Sequence, residues 1–411
     1  LNQFQAIAGE FNRGRDEKRI FPIYRRDELS AVAIAVLKDL AARDFNPLQE
    51  RNAIITCDSN DLNHAEELLV RRAFYDCEEI CLERQPGGRV AASVFKAYVS
   101  TYVPGAKRPL PFFVKILSRE KFDKELQRYR LYISQLVPYN LRPNIVESRC
   151  VTGKPYSIVV QNMVQDAMFI RESFRNGLGS GTIFSLFEVT LAGLRVQTYE
   201  TFAAGGSLVD YFNRRARISE IKPPIIQLAR AFGFHSSLEV LAERFKSRAP
   251  SVNLVVGWTH NDLHCKNVLV RRGDAILVDF GSVNLGPLSA DPLTLEVSFV
   301  FDETVRDEAE FADWKALVDS LYGRDCCFRI PLPESVPTRF SWLNSAVREL
   351  RHIISCSRSG EKEILIVLGA LLVRHARTHQ EGDKYALKQS AYSLVIAERL
   401  GDLVQFQNQH D

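Results

Sequence analysis

Residues 258–270 read Trp258-Thr259-His260-Asn261-Asp262-Leu263-His264-Cys265-Lys266-Asn267-Val268-Leu269-Val270. After a turn at Arg272-Gly273-Asp274 the chain continues Ala275-Ile276-Leu277-Val278-Asp279-Phe280-Gly281-Ser282-Val283. This stretch decides the fold. Two short apolar segments flank a Gly-containing turn, which predicts a β-hairpin over Val268–Val270 and Ala275–Val278. The hairpin returns the chain on itself, so Asn267 before it and Asp279 after it meet at one edge. The polar residues fall in an H-x-D-x-x-x-x-N loop and a D-F-G turn.

That order suits phosphoryl transfer. One carboxylate, Asp262, must meet an acceptor hydroxyl. An amide and a second carboxylate, Asn267 and Asp279, must hold Mg²⁺ on a nucleotide. A lone D-F-G or H-x-D is weak, and the two together in register with two strands are specific. His260, His264 and Cys265 also resemble metal ligands, but the loop already accounts for them, and no paired C-x-x-C occurs.

The chain here resembles the protein-kinase-like phosphotransferases, and among them the aminoglycoside/choline kinase type, whose loop is similar to His260-Asn261-Asp262-Leu263-His264. The resemblance runs from about Cys81 to the C-terminus. It implies that Asp262 is the catalytic carboxylate, supported by His260, that Asn267 and Asp279 bind metal, and that ATP and Mg²⁺ are the cofactors. It also implies that an Asp anchors the catalytic loop from the following helix, and Asp291 is the candidate. The region from Cys81 to Lys115 is also similar to kinase-like domains of bacterial conflict systems.

Working outward toward the N-terminus, three strands are expected at Ile80–Arg84, Ser93–Ser100 and Phe112–Leu117. The first two are joined by Pro86-Gly87-Gly88-Arg89. Glycines there would let backbone amides approach phosphate oxygens, so Gly87 and Gly88 are candidate nucleotide-binding positions, although a kinase loop carries three. Lys115 lies inside an apolar strand, which is costly for an ammonium without a partner. It is the candidate phosphate-binding lysine, and Glu125 on the following helix (Arg119–Leu136) is its candidate partner. Phe113 shares Lys115's face by strand alternation and would crowd a bound base. Asn144–Arg149 and Ser157–Met163 are expected as strands, leading into a hinge at Val164-Gln165-Asp166.

Toward the C-terminus the pattern is helical: Phe184–Thr198, Leu208–Arg217, Pro223–Ser247, Trp342–Ile354, Lys362–Arg377 and Lys384–Leu400. Little chain separates Asp279 from Asp291 and no Ala-Pro-Glu follows, which argues against a regulated activation loop. The acid-rich stretch Asp302–Asp319 either forms a solvated helix face or draws a cationic acceptor to the cleft. Residues 1–79 read as an α/β extension, with helices at Ser30–Phe45 and Asp61–Asp76, a strand at Ala53–Cys57, and Asp58 or Ser59 capping the second helix.

The expected fold is therefore α+β and two-lobed, with an extension over 1–79, a β-rich lobe over 80–163 and a helical lobe over 164–411. A net charge of +3 gives no argument for nucleic acid or a membrane surface. The longest uncharged apolar run, Ile364–Val373, is too short to span a bilayer. Eight cysteines without a disulfide pattern, and no leader-like segment, lead to a cytoplasmic expectation. The functional expectation is transfer of the γ-phosphoryl of ATP to a hydroxyl, most simply on a small molecule. Two alternatives are a protein-directed kinase or AMP transferase, and a nucleotide-binding signalling module of a bacterial defence system.

Overall fold

The computed structural model describes residues 53–58, 62–85, 93–101, 110–196, 199–200, 207–249, 252, 254–323, 338–378 and 384–406. The helix expected at Ser30–Phe45 and the loop with Gly87 and Gly88 lie outside the described residues.

The N-terminal lobe is one six-stranded sheet under a helix. Strand β1 (Ile54–Cys57) leads to α1 (His64–Ala73), then β2 (Cys77–Arg84), β3 (Ser93–Thr101) and β4 (Phe112–Ser118). Helix α2 (Arg119–Arg128) is followed by β5 (Val151–Thr152) and β6 (Tyr156–Asn162). The strand order is β1-β2-β3-β4-β6-β5. β1 pairs parallel to β2, Ile55 opposite Ile80, and the other pairings are antiparallel. A parallel pair needs a crossover, and α1 supplies it. Val70, Ala73 and Phe74 pack with Ile80, Val114 and Ile158 in a single apolar cluster. The described part of residues 53–79 is thus built into the lobe rather than standing apart, and a boundary at 79/80 falls inside β2. The cap of α1 also differs from expectation. Asn63 accepts from the Glu66 amide at 3.0 Å and Glu66 Oε2 accepts from the Asn63 amide at 3.2 Å, a reciprocal capping box.

Asn144–Arg149 does not form a strand. Its sheet contact is a single bridge, Ile145 opposite Gln161, and Glu147–Arg149 turn as a 3-10 helix. The cause is tertiary: the Arg149 guanidinium holds both oxygens of Asp76, at 2.7 and 2.8 Å, and so turns the chain toward α1.

β7 (Met168–Phe169) and α3 (Ile170–Arg175) open the C-terminal lobe. The helix expected over Phe184–Thr198 is broken into a short turn (Thr182–Phe184), a π turn (Ser185–Thr190) and a further helix (Ala192–Val196). Thr190 donates to the Ala275 carbonyl at 2.6 Å, which fixes the widened turn against the hairpin. β8 (Tyr199–Glu200) and α4 (Leu208–Ala216) follow. Pro223–Ser247 is two helices, α5 (Pro223–Ala231) and α6 (Leu238–Lys246). Gly233, at φ +99°, makes the break, a backbone region that disfavours other residues.

The remaining elements are β9 (Val255–Thr259), β10 (Val268–Arg271), β11 (Asp274–Leu277), β12 (Asn284–Pro287), α7 (Ala290–Phe301), α8 (Glu308–Leu321), α9 (Ser341–Cys356), α10 (Glu361–Thr378) and α11 (Lys384–Phe406). α7 is buried along its whole length and is the axis on which the lobe packs. Its one acid beyond the first turn, Glu296, is matched by Arg351 at 3.1 Å and Tyr322 at 2.9 Å. The architecture is α+β and two-lobed.

Candidate active site

The hairpin forms as its sequence demands. β10 and β11 pair antiparallel, Val268 opposite Leu277 and Arg271 opposite Asp274. Arg272 and Gly273 both have positive φ, +55° and +88°, the requirement of a tight two-residue hairpin turn. This sets Asn267 and Asp279 at one end of the ladder.

The loop before the hairpin is held from below by α7. Asp291, the second residue of α7 and so not its cap, accepts from the amides of His260 at 2.7 Å and Asn261 at 2.9 Å. The Cys265 amide donates to Ser298 Oγ at 3.0 Å, a second tie to the same helix. Asn261 sits at φ +62°, a conformation Asn tolerates better than most residues, and its carbonyl and side chain both accept from Arg215 of α4. His260 is wholly buried, with Nε2 3.2 Å from the Val278 carbonyl. Its ring therefore braces the loop against the strand leading to Asp279 and does not enter the cleft. The Asn267 amide nitrogen donates to the Asp262 carbonyl at 2.8 Å, which leaves its Oδ1 as an acceptor.

Across the cleft, β4 and α2 meet the D-F-G turn. Lys115 Nζ lies 3.0 Å from Glu125 Oε1 and 3.1 Å from Asp279 Oδ1. The side chains of Lys115 and Glu125 are 10% and 5% exposed, and that of Asp279 is 50% exposed. The three residues are distant in sequence and form one ionic cluster. Burial works against the Lys115 charge, but Glu125 and then Asp279 outweigh it and hold the ammonium protonated above its ordinary range. Lys115 in turn depresses the Asp279 carboxyl, while burial lifts Glu125. Two further contacts tie the turn in place: Arg128 of α2 donates to the Gly281 carbonyl, and the Phe280 ring lies 6.0 Å from Tyr129. Asp279 itself has φ +63°, unusual for a residue with a side chain.

On the opposite side of the loop, Arg374 of α10 donates to Asp262 Oδ1, and His264 Nε2 lies 3.9 Å from Asp262 Oδ2. Burial would raise the Asp262 carboxyl. The Arg374 charge, then that of His264, overcomes this and lowers it to about 2. A pocket opens here between the loop, α7 and α10, with Asp262, His264, Ser298, Asp302, Arg374 and His375 among its lining residues.

The structure thus gathers Lys115, Glu125 and Asp279 in one cluster, and His260, Asp262 and Asn267 in one loop braced by Asp291. Arg374 was missed in the sequence. Its signal was there: Leu371, Arg374, His375 and Thr378 follow the 3–4 spacing of one helix face, directly after the apolar run that buries α10. Arg128 and Arg215 were also missed, since each acts on a backbone group far away in the chain.

The donor set suits a hard cation. Asn267 Oδ1 and the half-exposed Asp279 carboxylate are oxygen donors of the kind Mg²⁺ takes. Among the described residues no group of three or more His, Cys, Asp or Glu side chains could hold a metal unaided, so phosphate oxygens would have to complete the coordination.

Residues 206–322, which span the loop, the hairpin and Asp291, match the phosphotransferase enzyme family (APH). The chain is a kinase-like phosphotransferase. No curated protein sequence matches it. Among solved structures, the phosphotransferase is similar to a thermostable mutant of aminoglycoside phosphotransferase APH(4)-Ia in ternary complex with ADP and hygromycin B. That similarity is 11% identity over 81% of this chain and 98% of the other, with a TM-score of 0.48. A choline/ethanolamine kinase family protein from Mesorhizobium loti matches at 13% identity over 79% and 92%, TM-score 0.41. Choline kinase from Cryptosporidium parvum Iowa II matches at 14% over 80% and 93%, TM-score 0.38. No helix among the described residues of the phosphotransferase is long and apolar enough to cross a membrane.

Proposed function

We propose that this phosphotransferase moves the γ-phosphoryl group of ATP to a hydroxyl of a small molecule, with Mg²⁺ bound on the nucleotide. The observation that carries the reading is the ionic cluster of Lys115, Glu125 and Asp279 standing across a cleft from a loop that Asp291 holds by two amides. In this reading Lys115 binds the nucleotide phosphates and Glu125 positions it. Asn267 and Asp279 hold Mg²⁺, which neutralises charge on the phosphates. Asp262 orients the acceptor hydroxyl and takes its proton. His260 and Asp291 fix the loop. Gly87 and Gly88 cover the phosphates. Such a site accelerates transfer mainly by alignment and charge stabilisation.

The short run from Asp279 to Asp291 supports a small-molecule acceptor over a protein, since it leaves little chain to form a docking segment. One feature favours a second reading, nucleotide binding without turnover: half-buried Phe113 shares the Lys115 face of β4. We further propose two lobes as units, the first with the described part of residues 53–79 in its sheet, and the second over 164–411.

The test is incubation with ATP labelled at the γ-phosphate, alone and with cell lysate. Label on small molecules is the expected result. Label on protein would support the protein-directed alternative. Binding of ATP with label transferred nowhere would replace the proposal with the non-catalytic reading.

A further inference from the structure

The pocket beside Asp262 carries information about the acceptor. Most acids of the stretch that could have drawn a cationic acceptor are paired elsewhere. Glu303 pairs with Arg175, Glu308 with Lys384 and Lys388, Glu310 with Arg339, and Asp319 with Lys315 and Arg399. Asp307 caps α8 through the Glu310 amide at 2.8 Å. Two carboxylates reach the pocket, and both are engaged. Asp262 holds Arg374. Asp302 accepts from Ser298 Oγ at 2.9 Å and lies 3.3 Å from His375 Nε2. The pocket's basic groups are Arg374, His264 and His375.

Arg374 is the group with capacity left. One of its terminal nitrogens, Nη2, is given to Asp262. Its Nη1 and Nε hydrogens have no acceptor among the described residues, and the side chain lines the pocket while being only 17% exposed. A guanidinium is a planar fork that can serve one carboxylate along one edge and a second anion along the other.

From these contacts we infer that the acceptor is a small hydroxylated anion, bound through its carboxylate or phosphate by Arg374, in place of the amino sugars and amino alcohols that an acidic pocket would take. The inference rests on the reading of the site as a phosphotransferase cleft. Arg374 then bridges the acceptor's anionic group and Asp262, so that the neighbouring hydroxyl meets the carboxylate. In the transfer, the hydroxyl oxygen forms the bond to the γ-phosphorus. The bond from that phosphorus to the bridging oxygen breaks, its electron pair leaves with ADP, and the hydroxyl proton passes to Asp262. Arg374 acts in this step as a positioning and specificity residue.

The experiment uses the full chain with Mg²⁺ and a non-hydrolysable ATP analogue, and four probes at equal concentration: glycerate, glycerol 3-phosphate, ethanolamine and choline. Binding is read by ligand-observed NMR and by the melting temperature. At least one of the two anions is expected to bind and neither cation to do so. A glycerate response alone assigns a carboxylate, and a glycerol 3-phosphate response alone assigns a phosphate. Arg374→Gln should weaken the anion roughly thirtyfold or more, the usual scale when one partner of a sequestered charge pair is cut away. Arg374→Lys, which keeps the charge but not the fork and so protects Asp262 from standing unpaired, should restore part of the loss. An unchanged anion response in Arg374→Gln, a response to the cations, or no response to any probe overturns the inference. The analogue's own stabilisation is measured in the same samples. If Mg²⁺ and the analogue fail to bind, it is the phosphotransferase reading that falls.

Discussion

The two sides of the cleft differ in how they hold their charges. On the N-lobe side, Lys115 is shared between Glu125 and Asp279 at 3.0 and 3.1 Å, so one cation faces two carboxylates. On the acceptor side, Asp262 is shared between Arg374 and His264, so one carboxylate faces a guanidinium and an imidazole. In the proposed reading the first side takes Mg²⁺ and phosphates. The second, in the same reading, takes the anionic group of the acceptor. In that reading one cleft offers different charge to its two substrates, with Glu125 of α2 acting on one side and Arg374 of α10 on the other.

The largest expected effect breaks the comparison at the chemistry itself. Asp262→Asn should lower turnover by roughly 10²–10⁴-fold, the scale of a lost general base, while nucleotide affinity stays near that of the wild type. Steady-state rates alongside nucleotide titrations check this. A parallel loss of nucleotide affinity would mean that the two sides are not separable.

Next comes the N-lobe cluster. Lys115→Met leaves Glu125 buried without its cation. The cost should be about 3 kcal/mol or more of stability, typical for breaking a buried pair on one side, together with weak nucleotide binding. Denaturant unfolding measures the first and calorimetry the second. A stable variant that still binds nucleotide would show that the cluster is incidental.

A subtler effect sharpens the acceptor side. The Asp262 carboxyl is lowered from its ordinary 3.8 to about 2. A depressed carboxyl contributes stability that is present above its ordinary pKa and lost as pH falls through the lower value. The wild-type contribution should therefore disappear between about pH 4 and pH 2. In Arg374→Gln burial acts without its main opponent, so the carboxyl titrates higher and the acid limb of kcat/KM moves to higher pH. An acid limb at the same pH in both proteins would remove Arg374 from the account.

The smallest effect is expected at α8. Glu308→Lys disturbs ion pairs with Lys384 and Lys388 in which the Glu308 carboxylate is itself exposed, and pairs open to solvent contribute little. Acceptor KM and its salt dependence should not change. A marked rise in KM would restore the acid-rich stretch as a cation-steering surface.

The sequence made one side of this comparison readable and hid much of the other. The hairpin, the D-F-G turn and the loop are local, so spacing alone brings Asn267 near Asp279. Lys115 announced itself as a charge in an apolar strand, and such a charge needs a partner. Asp262 was equally plain, but its partner was not, because α10 reads as a buried helix that happens to carry Arg374 near its C-terminal end. Two misread elements have identifiable causes. Asn144–Arg149 has strand-like residues, yet Asp76 captures Arg149 and turns it. Pro223–Ser247 has helical periodicity, yet Gly233 leaves the helical region. The first is a tertiary contact overriding local preference, and the second is a local glycine conformation overriding the apolar periodicity.

The most direct measurement is the melting temperature of wild type and Asp279→Ala with and without ATP and Mg²⁺. Ligands that bind only the folded state raise it by mass action. The wild type should be stabilised by ATP with Mg²⁺ together and scarcely by Mg²⁺ alone, and Asp279→Ala should lose most of that rise. An equal rise in both proteins would contradict the assignment of this cleft as a magnesium-nucleotide site.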